Sequence, residues 1–409
     1  MTTDRALSKP EFIALMAMLF STIAFSIDAM LPALPEIAAE LTPGAPNLAQ
    51  LIVTSFVLGL GVGTLFSGPM ADAFGRRRVI AGGALLYILG ALLAWQAASL
   101  ELILAARVLQ GLGASGPRIA AMAIIRDKFE GREMAQLVSL MMMVFTLVPA
   151  LAPAMGAGII AMAGWRAIFL AFIVFSAISV IWLSLRQPET LTLPARRPFR
   201  PAKLRDGFLE VIANPMVRLC LLSLILTFGA LFSVLVTAQP IFDVTFGQGH
   251  KFHWWFMLIS VIGAMGNFAN AKLVMIWGMR RVALTAFAVQ TGAAILMILV
   301  SLSAPWNAPW ALYAYVAWAA VNFTVLGLTI GNINAIAMTP MGHMAGMTAS
   351  ILGSMSTVGA VIVAVPLGLT FNGTPLSVAI GIAICAGAAF VIASGLKDPE
   401  PTPIKEALP

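Results

Sequence analysis

Long apolar runs recur along almost the whole chain, and they constrain the fold more than any other feature of the sequence. A helix needs about 20 apolar residues to cross ~30 Å of hydrocarbon. Bounded by charged residues and by Pro and Gly clusters, the runs predict twelve spans. These are residues 12–34, 48–71, 79–97, 100–124, 134–161, 165–185, 215–241, 254–276, 282–302, 309–335, 345–370 and 375–396. The predicted fold class is an all-α membrane protein with twelve transmembrane helices.

The composition excludes a soluble enzyme. Of the 409 residues, 60% are hydrophobic and 10% are charged, whereas soluble domains average about a quarter charged. Cys220 and Cys385 lie in apolar runs, which argues against a disulfide framework. His250 and His253 have no third ligand nearby in the sequence, so no metal site is predicted. No phosphate-cradling G-x-x-x-x-G-K-[ST] loop occurs, which argues against an ATP-driven motor.

Basic residues predict the orientation. Of the 24 Lys and Arg residues, all but Arg107, Arg118, Arg166 and Lys251 lie at the termini, in loops or near span ends on the same side as the termini. Loops rich in Lys and Arg stay in the cytoplasm, so both termini are predicted to be cytoplasmic. The net charge of +7 follows from this orientation. Because the charge is scattered over loops, it does not indicate a nucleic-acid partner.

A polar stretch divides the chain. Residues 186–214 contain four prolines and many of the basic residues, as expected for a cytoplasmic linker. The predicted domains are an N-terminal six-helix bundle, 1–185, and a C-terminal six-helix bundle, 215–409, with a short cytoplasmic tail. Residues 75–79, Gly-Arg-Arg-Arg-Val, recur as residues 278–282, Gly-Met-Arg-Arg-Val. Such a repeat predicts two related halves with a transport site between them.

The loop after span 2 has a recognisable pattern. Gly68, Asp72, Gly75, Arg76 and Arg77 match the signature G-x-x-x-D-x-x-G-R-R/K. In this respect the chain resembles the major facilitator superfamily. The resemblance implies two pseudo-symmetric six-helix bundles that move small molecules by alternating access.

Further segments are similar to those of drug:proton antiporters of the bicyclomycin-resistance type within that superfamily. The similar segments are Asp28–Pro35, Arg107–Gly111, Arg126–Asp127, Pro149–Gly156, Gly164–Phe169 and Gly346–Ser350. The resemblance implies a monomer in the bacterial inner membrane that takes a small-molecule substrate. It also implies that the energy comes from a proton gradient and that no cofactor is needed.

The loop motif is expected to act as a conformational latch. Asp72 can accept hydrogen bonds from an arginine or a helix terminus, and the glycines can allow close helix approach. The alternative is that the arginines only keep this loop in the cytoplasm. An acid and two glycines are superfluous for that purpose, which favours the latch.

Asp28 and Arg107 are the predicted proton-coupling residues. An ionisable side chain inside a span is costly and indicates a function. Both residues lie at a similar depth below the same ends of their helices, so an ion pair between them is feasible. A change in water access or in their separation could then bind or release a proton. A static ion pair between helices is the alternative.

Arg118 departs from the family pattern. It follows Arg107 by three helical turns plus about 20°, so the two arginines share a face of span 4. If that face lines the central cavity, Arg118 can attract an anionic or carbonyl-rich substrate. Snorkelling of the side chain to the cytoplasmic interface is an equal alternative.

Span 5 carries the antiporter motif, represented by Pro149, Pro153 and Gly156. The prolines are expected to bend the helix, and Gly156 and Gly158 to allow tight contact across the interface between the halves. Eight residues are predicted to line the substrate cavity, although the apolar ones could be core filler and the amides could join helices. They are Gln110, Arg118, Met142, Phe145, Phe228, Phe232, Asn267 and Asn322.

Two transport functions remain open from the sequence. The first is proton-driven export of amphipathic drugs. The second is transport of one defined metabolite, such as an anion held by Arg118. A membrane receptor that transports nothing is a third, less favoured class.

Overall fold

The computed structural model describes residues 7–303, 306 and 308–397. Fourteen α-helices occur in this part of the chain. They are α1 Lys9–Asp28, α2 Leu34–Leu41, α3 Leu51–Phe74, α4 Arg76–Trp95, α5 Leu100–Lys128, α6 Gly131–Ala163, α7 Ala167–Arg186, α8 Pro201–Ala213, α9 Pro215–Pro240, α10 Phe252–Trp277, α11 Met279–Ser303, α12 Pro309–Met338, α13 Ala345–Leu369 and α14 Leu376–Ser394.

Twelve of these helices are long. Eleven segments of the described chain are long and apolar enough to cross a membrane, and the segment Pro309–Leu369 contains both α12 and α13. The prediction of an all-α protein with twelve transmembrane helices is confirmed. An even number of crossings places residues 7 and 397 at the same end of the molecule, called here the terminal face. The other end is called the distal face.

Small residues set the packing of the first half. The helix α5 packs against α3 and α4. A Cβ atom added to Gly59 would overlap the carbonyl of Val108, and one added to Gly111 would overlap the carbonyl of Phe56. The backbones of α3 and α5 therefore touch directly, as small residues permit in membrane helices. In the second half α9 packs against α13 and α14, and α10 against α12.

The two halves meet along two helix pairs, α3 with α13 and α6 with α10. Ser350 of α13 donates to the carbonyl of Thr64 in α3 at 2.9 Å. At the distal face, Asn47 Nδ2 donates to the carbonyls of Leu369 and Phe371 at 3.1 and 2.7 Å. The distal ends of the halves are therefore joined in this conformation.

The polar stretch 186–214 is not wholly irregular, because it contains α8. Val211 of α8 is fully buried in a core cluster that otherwise belongs to the second half. Gly207 lies against the side chain of Met347 in α13. The linker is thus docked on the second half through the apolar side of α8.

Candidate functional site

Asp28 is the last residue of α1, where the first span changes direction. A short 3-10 turn, Leu31–Ala33, follows and leads into α2. Asp28 is only 5% exposed, and its carboxylate has no hydrogen bond or ion pair among the described residues. It is therefore a buried acid in apolar surroundings, which is a costly arrangement unless the group has a function.

Arg107 lies in the middle of the first bundle and is completely buried. Its guanidinium donates to the carbonyl of Ile52 at 3.1 Å, to the carbonyl of Ser26 at 2.9 Å and to Gln110 Oε1 at 2.6 Å. It also stands 4.4 Å from the centre of the Phe56 ring. Three acceptors and a ring face stabilise this cation without a carboxylate.

The expected ion pair between Asp28 and Arg107 is not formed. The sequence placed the two residues at a similar depth, but depth does not determine the direction of a side chain around its helix axis. Three of the five N–H donors of Arg107 bond to the carbonyl of Ser26, two residues before Asp28, and to the other two acceptors. Arg107 thus holds the backbone of α1 near Asp28, and the carboxylate itself remains unpaired.

A tyrosine that the sequence did not single out belongs to this cluster. Tyr87 of α4 is buried and its hydroxyl lies 2.5 Å from Ser26 Oγ, with either atom able to donate. Gln110 is also buried, and its Nε2 has no partner in the described part of the chain. Tyr87 is the only tyrosine of the first half. A lone phenol inside an apolar span was the available signal, since a buried hydroxyl usually has a partner.

Gly156 of the antiporter motif makes a close contact, but with another partner than expected. A Cβ atom on Gly156 would overlap the carbonyl of Ala29, the residue after Asp28. The predicted contact across the two halves is wrong for this glycine, because it touches α1 of its own half. A Cβ atom added to Gly158 would meet no other atom within 4 Å. Pro149 and Pro153 lie inside α6, which continues unbroken from residue 131 to residue 163.

The loop motif forms a charged cluster at the terminal face. Gly75 has φ +99°, which L side chains rarely adopt, and it separates α3 from α4. Arg76 is nearly buried and contacts both Asp72 Oδ1, at 2.5 Å, and Asp127 Oδ2, at 3.1 Å. Asp72 therefore accepts from an arginine, as expected. Gly68 makes only an ordinary contact with Ile119, so it does not provide a close helix approach.

Glu189 of the linker completes the charged cluster and was missed by the sequence reasoning. Its carboxylate accepts from the backbone N–H of Arg76 at 3.0 Å and of Arg77 at 3.1 Å, the first two residues of α4. A carboxylate is stabilised at a helix N-terminus by the unpaired N–H groups and the helix dipole. Thr190 adds a bond to Asp127 Oδ2 at 2.7 Å. An acid just after span 6 is too common a feature to have indicated this contact.

The internal repeat is also a repeat of contacts. Gly278 has φ +78° and separates α10 from α11, as Gly75 separates α3 from α4. Arg77 Nη2 donates to the carbonyl of Ser184 at 2.7 Å, near the end of α7. Arg280 Nη2 donates to the carbonyl of Ser394 at 2.6 Å, at the end of α14. Each half therefore ties its third long helix to its sixth at the terminal face.

Arg118 lies further along α5 than Arg107, ten residues before the end of that helix. Its side chain is exposed, although residues 113–117 before it are all buried. No hydrogen bond or ion pair of Arg118 occurs among the described residues. Unlike Arg107, it has a guanidinium that is free to bind another molecule.

The other predicted cavity residues divide into packed and open positions. Asn322 is buried, with its amide bonded to Gln290 Nε2 and to the carbonyl of Trp318, so it joins α11 to α12 and does not line a cavity. Phe145 packs edge-on against Phe20 of α1. The other four predicted cavity residues differ in their surroundings. Phe228 and Phe232 stack on each other, Met142 is partly exposed and has an interaction, and Asn267 is exposed.

Comparisons with known proteins give one family and one fold. A model described as Major Facilitator Superfamily matches residues 14–364. An MFS-type transporter of Bacillus subtilis, YdgK, is 37% identical over 186 residues, which are 45% of this chain and 46% of that protein. A bicyclomycin resistance protein homolog of Haemophilus influenzae is 28% identical over 71% of this chain and 73% of its own length. The crystal structure of a D-xylose–proton symporter superposes with a TM-score of 0.75 at 13% identity, over 95% of this chain and 98% of that one.

Proposed function

Because the chain belongs to the Major Facilitator Superfamily, we propose that it exports small amphipathic molecules from the cytoplasm in exchange for protons, by alternating access. The resemblance drawn from residues 68–77 is confirmed by this family match. The relative from Haemophilus influenzae carries antibiotic resistance in its name, which favours drug export over transport of a single metabolite. The chain spans less than half the length of its Bacillus subtilis relative YdgK in the alignment, so the substrate is part of the proposal.

The observation that carries the proposal is the isolation of Asp28. It is the only Asp or Glu of the described residues that lies between the two faces of the bundle, and it has no partner. An ionised carboxylate there is costly, while a protonated one costs much less. In the proposed cycle, Asp28 takes up a proton on one side of the membrane and releases it on the other. The difference in free energy between the two protonation states would then drive transport.

The neighbours of Asp28 support a mechanical link between proton and helix movement. Arg107 holds the carbonyl of Ser26, and Gly156 lies against the carbonyl of Ala29. The backbone of the first span is thus contacted by α5 just before Asp28 and by α6 just after it. A change in the charge of Asp28 acts where these three helices meet, so it can bias their packing.

The charged cluster of the loop motif is proposed to stabilise one of the two conformations. Asp72, Arg76, Asp127 and Glu189 connect α3, α4, α5 and the linker. The linker in turn docks on the second half through α8. The N–H of Arg197 also donates to the carbonyl of Asp72 at 3.1 Å, so movement of the halves has to be accommodated by residues 198–200, between this bond and α8.

The proposal includes the placement of the protein. Residues 1–185 and 215–409 would form the two moving bundles of a monomer in the bacterial inner membrane, with the terminal face in the cytoplasm. Basic residues at that face support the orientation. The proton gradient is proposed as the only energy source, with no cofactor and no nucleic-acid partner.

A transport assay tests the proposal. A susceptibility panel in an efflux-deficient bacterium would first identify a compound to which the protein gives resistance. Accumulation of that compound would then be measured in proteoliposomes under an imposed pH gradient. We expect Asp28→Asn to abolish accumulation against the gradient and to leave binding of a neutral compound intact, because Asn mimics the protonated acid permanently. Asp243→Asn, which removes an exposed acid near the distal face, is the matched control. If Asp28→Asn still concentrates the compound, another group or ion drives the cycle.

A further inference from the structure

We propose that Arg118 binds a carboxylate or a similar anionic group of the transported molecule, and that it makes the carrier prefer amphipathic compounds with an acidic end. The inference rests on the proposed export function, whose substrates it narrows. It starts from the contrast between two arginines of α5. Arg107 is buried with three acceptors, and Arg118 is exposed with none among the described residues.

The direction of Arg118 follows from the contacts of its neighbours on α5. Gly111 and Ser115 face α3, since they contact Phe56 and Ser67. Gly113 faces the opposite side, against Tyr87 of α4. Arg118 lies only about 20° around the axis from Arg107, which contacts Ser26 of α1 and Ile52 of α3.

Arg118 therefore points into the gap between α1 and α3. On its other side α3 packs against α13 of the second half, and the turn after α1 approaches α9. The gap thus opens towards the interface between the two halves. A transporter of this architecture holds its substrate at that interface.

The position of Arg118 along α5 argues against snorkelling. The predicted span continues for six more residues to residue 124, which is about 9 Å at 1.5 Å per residue. An extended arginine side chain is shorter than this distance. Moreover, a snorkelling side chain runs along lipid, whereas the face of Arg118 is turned towards the second half.

Charge supplies the chemistry of the ligand. Asp28 lies at the level of Arg107, about 16 Å along α5 from Arg118. The other acids of the described residues lie at or beyond the helix ends, including Asp72 and Asp127. An exposed cation inside the membrane region with no counter-charge favours an anionic ligand, and a guanidinium can bind a carboxylate through two parallel hydrogen bonds.

Matched acid and ester probes test this site. Rhodamine 110 and its methyl ester, rhodamine 123, share one ring system and differ in the free carboxylate, as do dansylglycine and its methyl ester. Binding to the purified protein in a non-ionic detergent is measured by fluorescence anisotropy. We expect the wild type to bind each acid about tenfold more tightly than its ester, as one charge-assisted hydrogen bond allows.

Variants assign the preference to the side chain. Arg118→Gln should remove the difference between acid and ester, and Arg118→Lys should keep most of it. Arg126→Gln is the matched control, because Arg126 is an exposed arginine on the same helix at the terminal face. Since Arg118 has no partner to lose, the thermal midpoint of the Gln variant should equal that of the wild type, which verifies its folding.

Three results would overturn the proposal. The first is that the wild type shows no preference for either acid, including a failure to bind any of the four probes. The second is that Arg118→Gln weakens acid and ester equally. The third is that Arg126→Gln has the same effect as Arg118→Gln. Proteoliposome transport of the same probes separates the two proposals, because an acid that is bound through Arg118 but not concentrated by a pH gradient supports the site and contradicts the export function.

Discussion

Gly156 has no side chain, and this allows α6 to pack closely beside Asp28, which is distant in the sequence. The close contact of Gly156 with the carbonyl of Ala29 brings α6 against the end of α1, directly beside Asp28. A larger residue would have to move one of the two backbones, since neither contacting atom belongs to a flexible side chain. The antiporter motif therefore has a packing role at the acid, within the first half.

We predict that Gly156→Ala lowers the stability of the protein by about 1–3 kcal/mol, the usual cost of overpacking. It should also slow proton-driven transport, because the displaced backbone carries Asp28. Thermal denaturation in detergent and proteoliposome uptake measure the two effects. Gly158→Ala is the control, since a Cβ atom there meets nothing within 4 Å. Equal stability of the two variants would contradict the role given to the contact.

The sequence predicted this site only in part. Asp28 and Arg107 could be singled out because charges inside apolar helices are costly, and Gly156 because residues 149–156 resemble the antiporter motif. Their partners could not be identified, since spacing along a helix gives depth and face but not the neighbour that occupies the face. Tyr87 and Ser26 illustrate the limit, as their contact joins residues that are 61 positions apart.

At the scale of elements, the linker is more structured than its composition suggested. Four prolines and many charges predicted a cytoplasmic linker and no helix within it, but α8 forms and buries Val211 in the second half. Glu189 fixes the other end of the segment at the start of α4. The twelve long helices, in contrast, were predicted well, because a run of about 20 apolar residues has few other solutions in a bilayer.

We predict that Glu189→Gln loosens the linker. Loss of the carboxylate at the α4 N-terminus should cost about 1 kcal/mol, which corresponds to roughly fivefold more frequent local opening. Trypsin cleavage after Arg196, followed in inside-out vesicles, should accelerate by the same factor. Glu130→Gln removes an acid that has no side-chain partner among the described residues and should change nothing. Unchanged cleavage in Glu189→Gln would show that the linker is held elsewhere.

At the scale of the whole molecule, transport requires the closed distal face to open. Asn47 joins the halves there through the carbonyls of Leu369 and Phe371. A bridge between the halves at this point should prevent the opening. A bridge within one half should not, because each bundle moves as a body.

We predict that a reducible cross-linker between cysteines placed at Asn47 and Phe371 abolishes proton-driven transport, and that reduction restores it. The control pair replaces Glu40 and Arg166, which form a 2.8 Å ion pair inside the first half. Cys220 and Cys385 are buried, so they should contribute little background labelling. Full activity of the cross-linked Asn47–Phe371 pair would contradict movement of the halves at this face.

The presence of a single buried carboxyl, Asp28, between the two faces of the described bundle limits the cargo gradient that proton exchange can sustain. Under the proposed coupling, the one interior carboxyl among the described residues returns at most one proton per cycle. Each pH unit is worth 1.4 kcal/mol, or a tenfold concentration ratio of cargo. Exchange of one proton for a neutral molecule also moves one charge, so about 60 mV of membrane potential adds another factor of ten. If the cargo carries the negative charge that Arg118 invites, its exit and the proton's entry move charge in the same sense. The potential then counts twice, and an acidic compound would be expelled against a steeper gradient than its ester.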